Sequence, residues 1–215
     1  MELKNYIEHT LLKPEATKED LKKLFTEAVQ YGFFGVCVNP ANVKFAKEFL
    51  QNSEVKIVSV IGFPLGASKT VTKAFEARQA VNDGADEIDM VLNVGEMKDK
   101  NYEFVIEDVK QVKLACADKK LKVILETDLL SDEEIAIATK LCIEGGCDFV
   151  KTSTGFLKNG VGATVEAVKI MAKEVEGTNV KIKASAGIKT KEKAIALIEA
   201  GASRLGTSSG VQLVS

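Results

Sequence analysis

From end to end, the 215-residue chain alternates short apolar, β-branched runs with amphipathic stretches of helical length, and nothing interrupts the alternation. The runs fall at 6–12, 33–38, 55–63, 86–92, 121–127, 148–152, 180–184 and 204–207, which makes eight strand candidates. Helical patterns such as 18–31 and 131–144 lie between them, with Thr17, Ser131 and Thr190 placed as N-caps, and one helix is predicted for every gap. Gly32, Gly84, Gly145-Gly146 and Gly201 close helical stretches just ahead of the next run, where glycine takes the left-handed C-cap without steric cost. Most runs are apolar on both faces, as a parallel sheet covered by helices requires. Eight βα units without a visible linker predict an α/β protein, a single-domain (β/α)8 TIM barrel over residues 1–215. A doubly wound open sheet is the alternative, and it ranks second because no G-x-G-x-x-G follows the first run.

Composition narrows the function. With 46% hydrophobic and 28% charged residues, the chain has the material for one ordered core. Lys plus Arg (29) nearly balances Asp plus Glu (31), so there is no basic field to hold nucleic acid or an anionic membrane, and neither is expected as a partner. No apolar stretch approaches the roughly 20 residues of a membrane span, and the opening Met-Glu-Leu-Lys-Asn lacks the regions of a signal peptide, so a cytoplasmic protein is expected. His9 is the sole histidine, and Cys37, Cys116, Cys142 and Cys147 show no C-x-x-C spacing, which argues against a zinc site and a Ser-His-Asp triad. Cys142 and Cys147 read as small buried hydrophobes. Neither a metal nor a cofactor is expected.

Barrel enzymes carry their chemistry at the C-terminal ends of the strands. Three runs place ionisable groups there: Glu87-Ile88-Asp89-Met90-Val91-Leu92-Asn93, Phe149-Val150-Lys151-Thr152-Ser153-Thr154-Gly155 and Val180-Lys181-Ile182-Lys183-Ala184-Ser185-Ala186-Gly187. Lysine is seldom buried unless paired, yet Lys151 and Lys183 fall at matching heights on adjacent strands of a barrel. Two converging ammonium groups and desolvation would lower the pKa of one amine toward neutrality, and a neutral amine attacks carbonyls. Lys181 shares the inward face under strict alternation but lies near the strand start, and reads as structural. Asp89 suits either a salt bridge to a lysine or a proton shuttle, and the two roles are compatible. The loops Ser185-Ala186-Gly187-Ile188, leading into Lys189-Thr190, and Gly206-Thr207-Ser208-Ser209-Gly210 follow the last two strands, where this fold commonly holds phosphate; ordinary turn chemistry is the other reading. Gly62-Phe63-Pro64-Leu65-Gly66 reads as a constrained turn at the mouth, and Cys37 as an interior-facing or core residue.

Ile7-Glu8-His9-Thr10-Leu11-Leu12-Lys13-Pro14, Gly35-Val36-Cys37-Val38-Asn39-Pro40, the segment around Asp89 and the segment around Lys151 together resemble deoxyribose-phosphate aldolase, over essentially the whole chain. The resemblance implies a class I aldolase that reversibly cleaves 2-deoxy-D-ribose 5-phosphate to acetaldehyde and D-glyceraldehyde 3-phosphate without a metal. It implies Lys151 as the Schiff-base nucleophile, Lys183 as the lysine that tunes it and Asp89 as the partner in proton relay. It implies substrate and phosphate contacts at Thr10, Cys37, Lys122, Thr152, Gly155, Ala186, Gly187, Gly206, Ser208 and Ser209, and a homo-oligomer, dimer or tetramer. The chain departs from the family pattern at Ala186, usually glycine, at Lys189, often arginine, and at Glu8, commonly aspartate. Ala186 adds a methyl group where backbone meets phosphate, and Lys189 keeps the charge without the bidentate fork. Ending at Ser215, the chain also lacks the terminal tyrosine of some longer members, so a different substrate breadth is expected. The competing readings are another lysine-dependent barrel aldolase and a phosphosugar-binding protein without activity.

Overall fold

The computed structural model describes residues 2–215. Its strands are β1 (Ile7–Thr10), β2 (Gly35–Val38), β3 (Lys56–Ile61), β4 (Glu87–Val91), β5 (Lys120–Ile124), β6 (Phe149–Lys151), β7 (Lys181–Ser185) and β8 (Arg204–Thr207). They pair in sequence order, all parallel, and β8 pairs with β1 to close the barrel. Around it stand α1 (Lys18–Tyr31), α2 (Val43–Phe49), α3 (Thr70–Asn82), α4 (Val94–Lys98), α5 (Tyr102–Ala115), α6 (Asp132–Glu144), α7 (Val165–Val175), α8 (Lys191–Glu199) and α9 (Gly210–Val214). The (β/α)8 barrel expected from the sequence is the fold observed, and the open sheet is excluded by the β1–β8 pairing.

Local chemistry explains the element boundaries. Thr17 and Ser131 form capping boxes with Asp20 and Glu134, each side-chain oxygen accepting from the backbone N–H three residues on. Thr190 caps α8 in the same way without the reciprocal acid. The gap between β4 and β5 departs from the one-helix expectation and holds two. Asn93 caps α4 by accepting from the Glu96 N–H at 3.3 Å, and Lys100, at φ 58°, breaks the chain before α5 starts. Six of the eight strands, all but β7 and β8, are also shorter than the apolar runs. β3 stops at Ile61 because the chain turns at Gly62, φ 59°, where the Gly62 carbonyl accepts from the Gly66 N–H at 2.8 Å.

Two cores result. The outer one, between sheet and helices, holds Phe25, Leu21, Ile88, Met90 and Leu121 among others. Inside the barrel the apolar part is small, Leu12, Cys37, Val58 and Val60 with Phe63 against them. The rest of the interior is charged, and strand register explains how: Lys122 lies opposite Asp89, Lys151 opposite Lys183, and Lys183 opposite Arg204. Lys181 sits exposed at the start of β7, outside this assembly, as its place in the run suggested.

Candidate active site

Seven charged side chains fill the barrel interior: Glu8, Glu87, Asp89, Lys122, Lys151, Lys183 and Arg204, all buried. Unpaired charges there would cost several kcal/mol each, so their contacts are the test of the arrangement. Lys122 Nζ donates to Asp89 Oδ1 at 2.9 Å and stands 2.6 Å from Glu87 and 3.4 Å from Glu8. Lys183 Nζ donates to Glu8 and, at 2.7 Å, to Asp89 Oδ2. Arg204 Nη1 donates to Glu8 at 2.9 Å and Glu87 at 3.3 Å, with its guanidinium carbon 3.3 Å from the centre of the Phe34 ring. Lys151 Nζ donates to Asp89 Oδ2 at 2.8 Å. Three carboxylates thus balance Lys122, Lys183 and Arg204 in formal charge, and Lys151 is the cation in surplus. Gly206 makes room for this packing, since a Cβ there would stand 3.0 Å from Lys183 Cε.

The surplus bears on which amine gives up its proton most readily. Burial, aided by the Lys183 ammonium, pushes the Lys151 amine below the ordinary lysine range, although the Asp89 carboxylate opposes it. Burial works against charge on Lys183 too, but Asp89 and Glu8 outweigh it and hold its pKa above the ordinary value. Lys122 is raised likewise, against its burial, by Asp89, Glu8 and Glu87. Burial would raise Asp89, yet Lys122, Lys151 and Lys183 together hold it well below the usual carboxylate range. Glu8 is lowered, against burial, by Lys122, Lys183 and Arg204. The surroundings of Lys151 thus favour loss of its proton, while those of its neighbour Lys183 favour the protonated form.

Access points to the same residue. A cleft of about 260 Å³ opens at the C-terminal end of the barrel, and of the interior charges Lys151 alone lines it, at 3% exposure against 0% for Lys183 and Asp89. Thr10, Gly155, Ala186, Gly187, Gly206, Ser208 and Ser209 line the same cleft, with Lys13 and Lys189 at its edge. Thr207 Oγ1 donates to the Ile188 carbonyl at 2.8 Å and joins the loops after β7 and β8 into one wall. Lys122, Thr152 and Cys37 lie elsewhere. Lys122 is wholly inside the ion network, and Thr152 Oγ1 is spent on β7, accepting from Ser185 N at 3.0 Å and donating to its carbonyl at 3.2 Å. Cys37 is buried, with burial pushing its thiol up to about 11. Its sulfur lies within 4.8 Å of carboxylate oxygens of Glu8 and Asp89, but ammonium groups already hold both carboxylates. A larger groove of about 770 Å³ beside α1 and α9 contains none of the buried lysines.

Glu8, Glu87 and Arg204 are the interior residues that sequence reasoning missed. Glu8 stands out in the sequence only as a departure from the family pattern, and Glu87 and Arg204 open β4 and β8, away from the C-terminal strand ends where barrel chemistry is expected.

The model of the DeoC/LacD family of aldolases matches residues 6–213. The deoxyribose-phosphate aldolase of Thermococcus gammatolerans is 55% identical, covering 100% of this chain and 96% of that protein. That of Mycoplasma capricolum is 52% identical, covering 100% and 95%. Among solved structures, the tetrameric deoxyribose phosphate aldolase of Aeropyrum pernix superimposes with a TM-score of 0.90 at 34% identity, over 99% of this chain and 89% of that one. An eight-stranded barrel with one buried lysine open to the cleft and full-length similarity to such enzymes has one reading: the chain belongs to the DeoC/LacD aldolase family, and within it to the deoxyribose-phosphate aldolases.

Proposed function

We propose that Lys151 is the amine on which this chain performs the reaction of its family, the reversible cleavage of 2-deoxy-D-ribose 5-phosphate to acetaldehyde and D-glyceraldehyde 3-phosphate. The observation that carries the assignment is that Lys151 is both the charge in surplus and the interior amine that lines the cleft. Neutral Lys151 adds to the aldehyde carbon of the open-chain sugar, and loss of water leaves a protonated imine. As the C3 hydroxyl gives up its proton, the C2–C3 bond breaks and its electron pair moves into the iminium. D-glyceraldehyde 3-phosphate departs and an enamine remains. Protonation of the enamine carbon and hydrolysis return Lys151 and release acetaldehyde. Asp89 and Lys183, both within hydrogen-bond reach of one another beneath Lys151, are the groups we assign to proton transfer, through water.

The phosphate is assigned to the wall formed by Ala186, Gly187, Gly206, Ser208 and Ser209, with Lys13 and Lys189 supplying positive charge at its edge. Thr10 and Gly155 complete the substrate contacts. A homo-oligomer, dimer or tetramer, is proposed on the strength of the tetrameric relative, and a cytoplasmic site of action fits the finding that no helix among the described residues is long and apolar enough to cross a membrane. Incubation with 2-deoxyribose 5-phosphate and borohydride, followed by peptide mass spectrometry, should place the reduced adduct on Lys151, and a parallel assay should detect acetaldehyde. An adduct on another lysine would overturn the assignment of the nucleophile; absence of both adduct and acetaldehyde would overturn the reaction.

A further inference from the structure

The connection after β6, residues 152–164, forms one side of the cleft, and its shape is dictated by two acids that touch neither Lys151 nor the phosphate wall. Both come from the turn that follows β5. Glu126 is 5% exposed and sits at φ 57°, ψ 62°, a left-handed backbone that L residues seldom adopt. From there its carboxylate accepts from the Thr154 N–H at 3.1 Å and from the Thr154 hydroxyl. Thr154 Oγ1 in turn accepts from the Phe156 N–H at 3.1 Å, so Glu126 holds the segment that leaves the barrel directly after Lys151 and lines the cleft.

Asp128 grips the far half of the same connection. Its two carboxylate oxygens accept from the successive N–H groups of Val161, at 3.2 Å, and Gly162, at 2.9 Å, a backbone nest closed on an anion. That stretch is laid directly on the loop after β7. A Cβ at Gly162 would stand 2.5 Å from the Ala186 carbonyl oxygen, one at Gly187 would stand 2.4 Å from the Val161 carbonyl oxygen, and Ala163 N donates to the Ala186 carbonyl at 3.1 Å. Ala186 and Gly187 therefore have a rigid backing whose only acidic anchor among these contacts is Asp128. Between the two anchors, residues 158–161 are exposed.

We propose that Glu126 and Asp128 are positioning residues acting on different halves of the cleft: Asp128, through 161–162, sets the grip on the substrate's phosphate, and Glu126, through Thr154, sets the geometry around Lys151. The division rests on the functional reading given above, because it assumes that the wall at 186–187 receives phosphate.

The test compares 2-deoxyribose 5-phosphate with unphosphorylated 2-deoxyribose. Asp128→Ala should raise KM for the phosphorylated sugar by about tenfold while leaving kcat/KM for the unphosphorylated sugar within about twofold, the signature of lost binding remote from the reacting carbon. Asp128→Asn, which keeps one acceptor oxygen, should recover part of that loss and serves as the readout if the alanine variant does not fold. Glu126→Gln should lower kcat about tenfold on both sugars alike and slow borohydride trapping of acetaldehyde on Lys151. Equal losses on the two sugars from the Asp128 variants, or unchanged kinetics in all of them, would overturn the proposal. Wild-type enzyme inert toward 2-deoxyribose 5-phosphate would instead overturn the reaction itself, so the two failures are separable.

Discussion

Lys151 illustrates how one residue's chemistry is set by six others. Its amine hydrogen-bonds to Asp89, which alone would favour the protonated form, but Asp89 also accepts from Lys122 and Lys183. Removing a neighbouring cation should reverse the balance: Lys183→Leu is expected to raise the Lys151 pKa and reduce kcat at neutral pH by about a hundredfold or more, checked by the pH–rate profile. The same shifts tie stability to pH. Lys151, lowered in the folded chain, carries fewer protons folded than unfolded between its lowered pKa and about 10.4, so in that window stability rises with pH. Asp89 and Glu8 are also lowered, and what they contribute is present above about pH 4 and lost as pH falls through their folded values. Lys151→Met, which removes the surplus charge, should abolish turnover while leaving the urea midpoint equal or higher. Asp89→Asn takes from Lys151 its carboxylate partner and from Lys122 and Lys183 one of theirs, which Glu8 and Glu87 still hold, and should cost about 3–5 kcal/mol in the same titration.

The strands and helices were readable because their signals are local: alternating runs, caps at Thr17, Ser131 and Thr190, and glycines at helix ends. The connecting loops were less so. The split between α4 and α5 depends on a left-handed lysine, Lys100, and the anchor after β5 on a left-handed glutamate, Glu126, neither of which residue type announces such a backbone. Ala186 was legible as a departure, and the structure supplies its physical meaning: φ is 70°, where glycine is at ease and alanine is not. Ala186→Gly relieves that strain but loosens the unfolded chain, so the two effects, each about 0.5–2 kcal/mol, should nearly cancel in unfolding titrations. If the wall holds phosphate as proposed, removal of the methyl group should show in kinetics instead, as a lower KM for 2-deoxyribose 5-phosphate.

At the scale of the whole barrel, the sequence pattern led to the fold, to the loops that line the cleft and to the meeting of Lys151, Lys183 and Asp89, because eight repeating units place like positions of successive strands side by side. It did not show that Glu8, Glu87 and Arg204 complete the interior, since Arg204 meets Glu8, 196 positions away, only when β8 closes on β1. Closure is what converts scattered ionisable residues into a nearly neutral polar core with one cation too many. The rate at which acetaldehyde and borohydride trap Lys151, measured across pH in the wild-type enzyme, reads that surplus charge directly. The expected result is a single titration for Lys151 below the ordinary lysine value of about 10.4. A Lys151 that titrates at that value, or a more reactive Lys183, would contradict it.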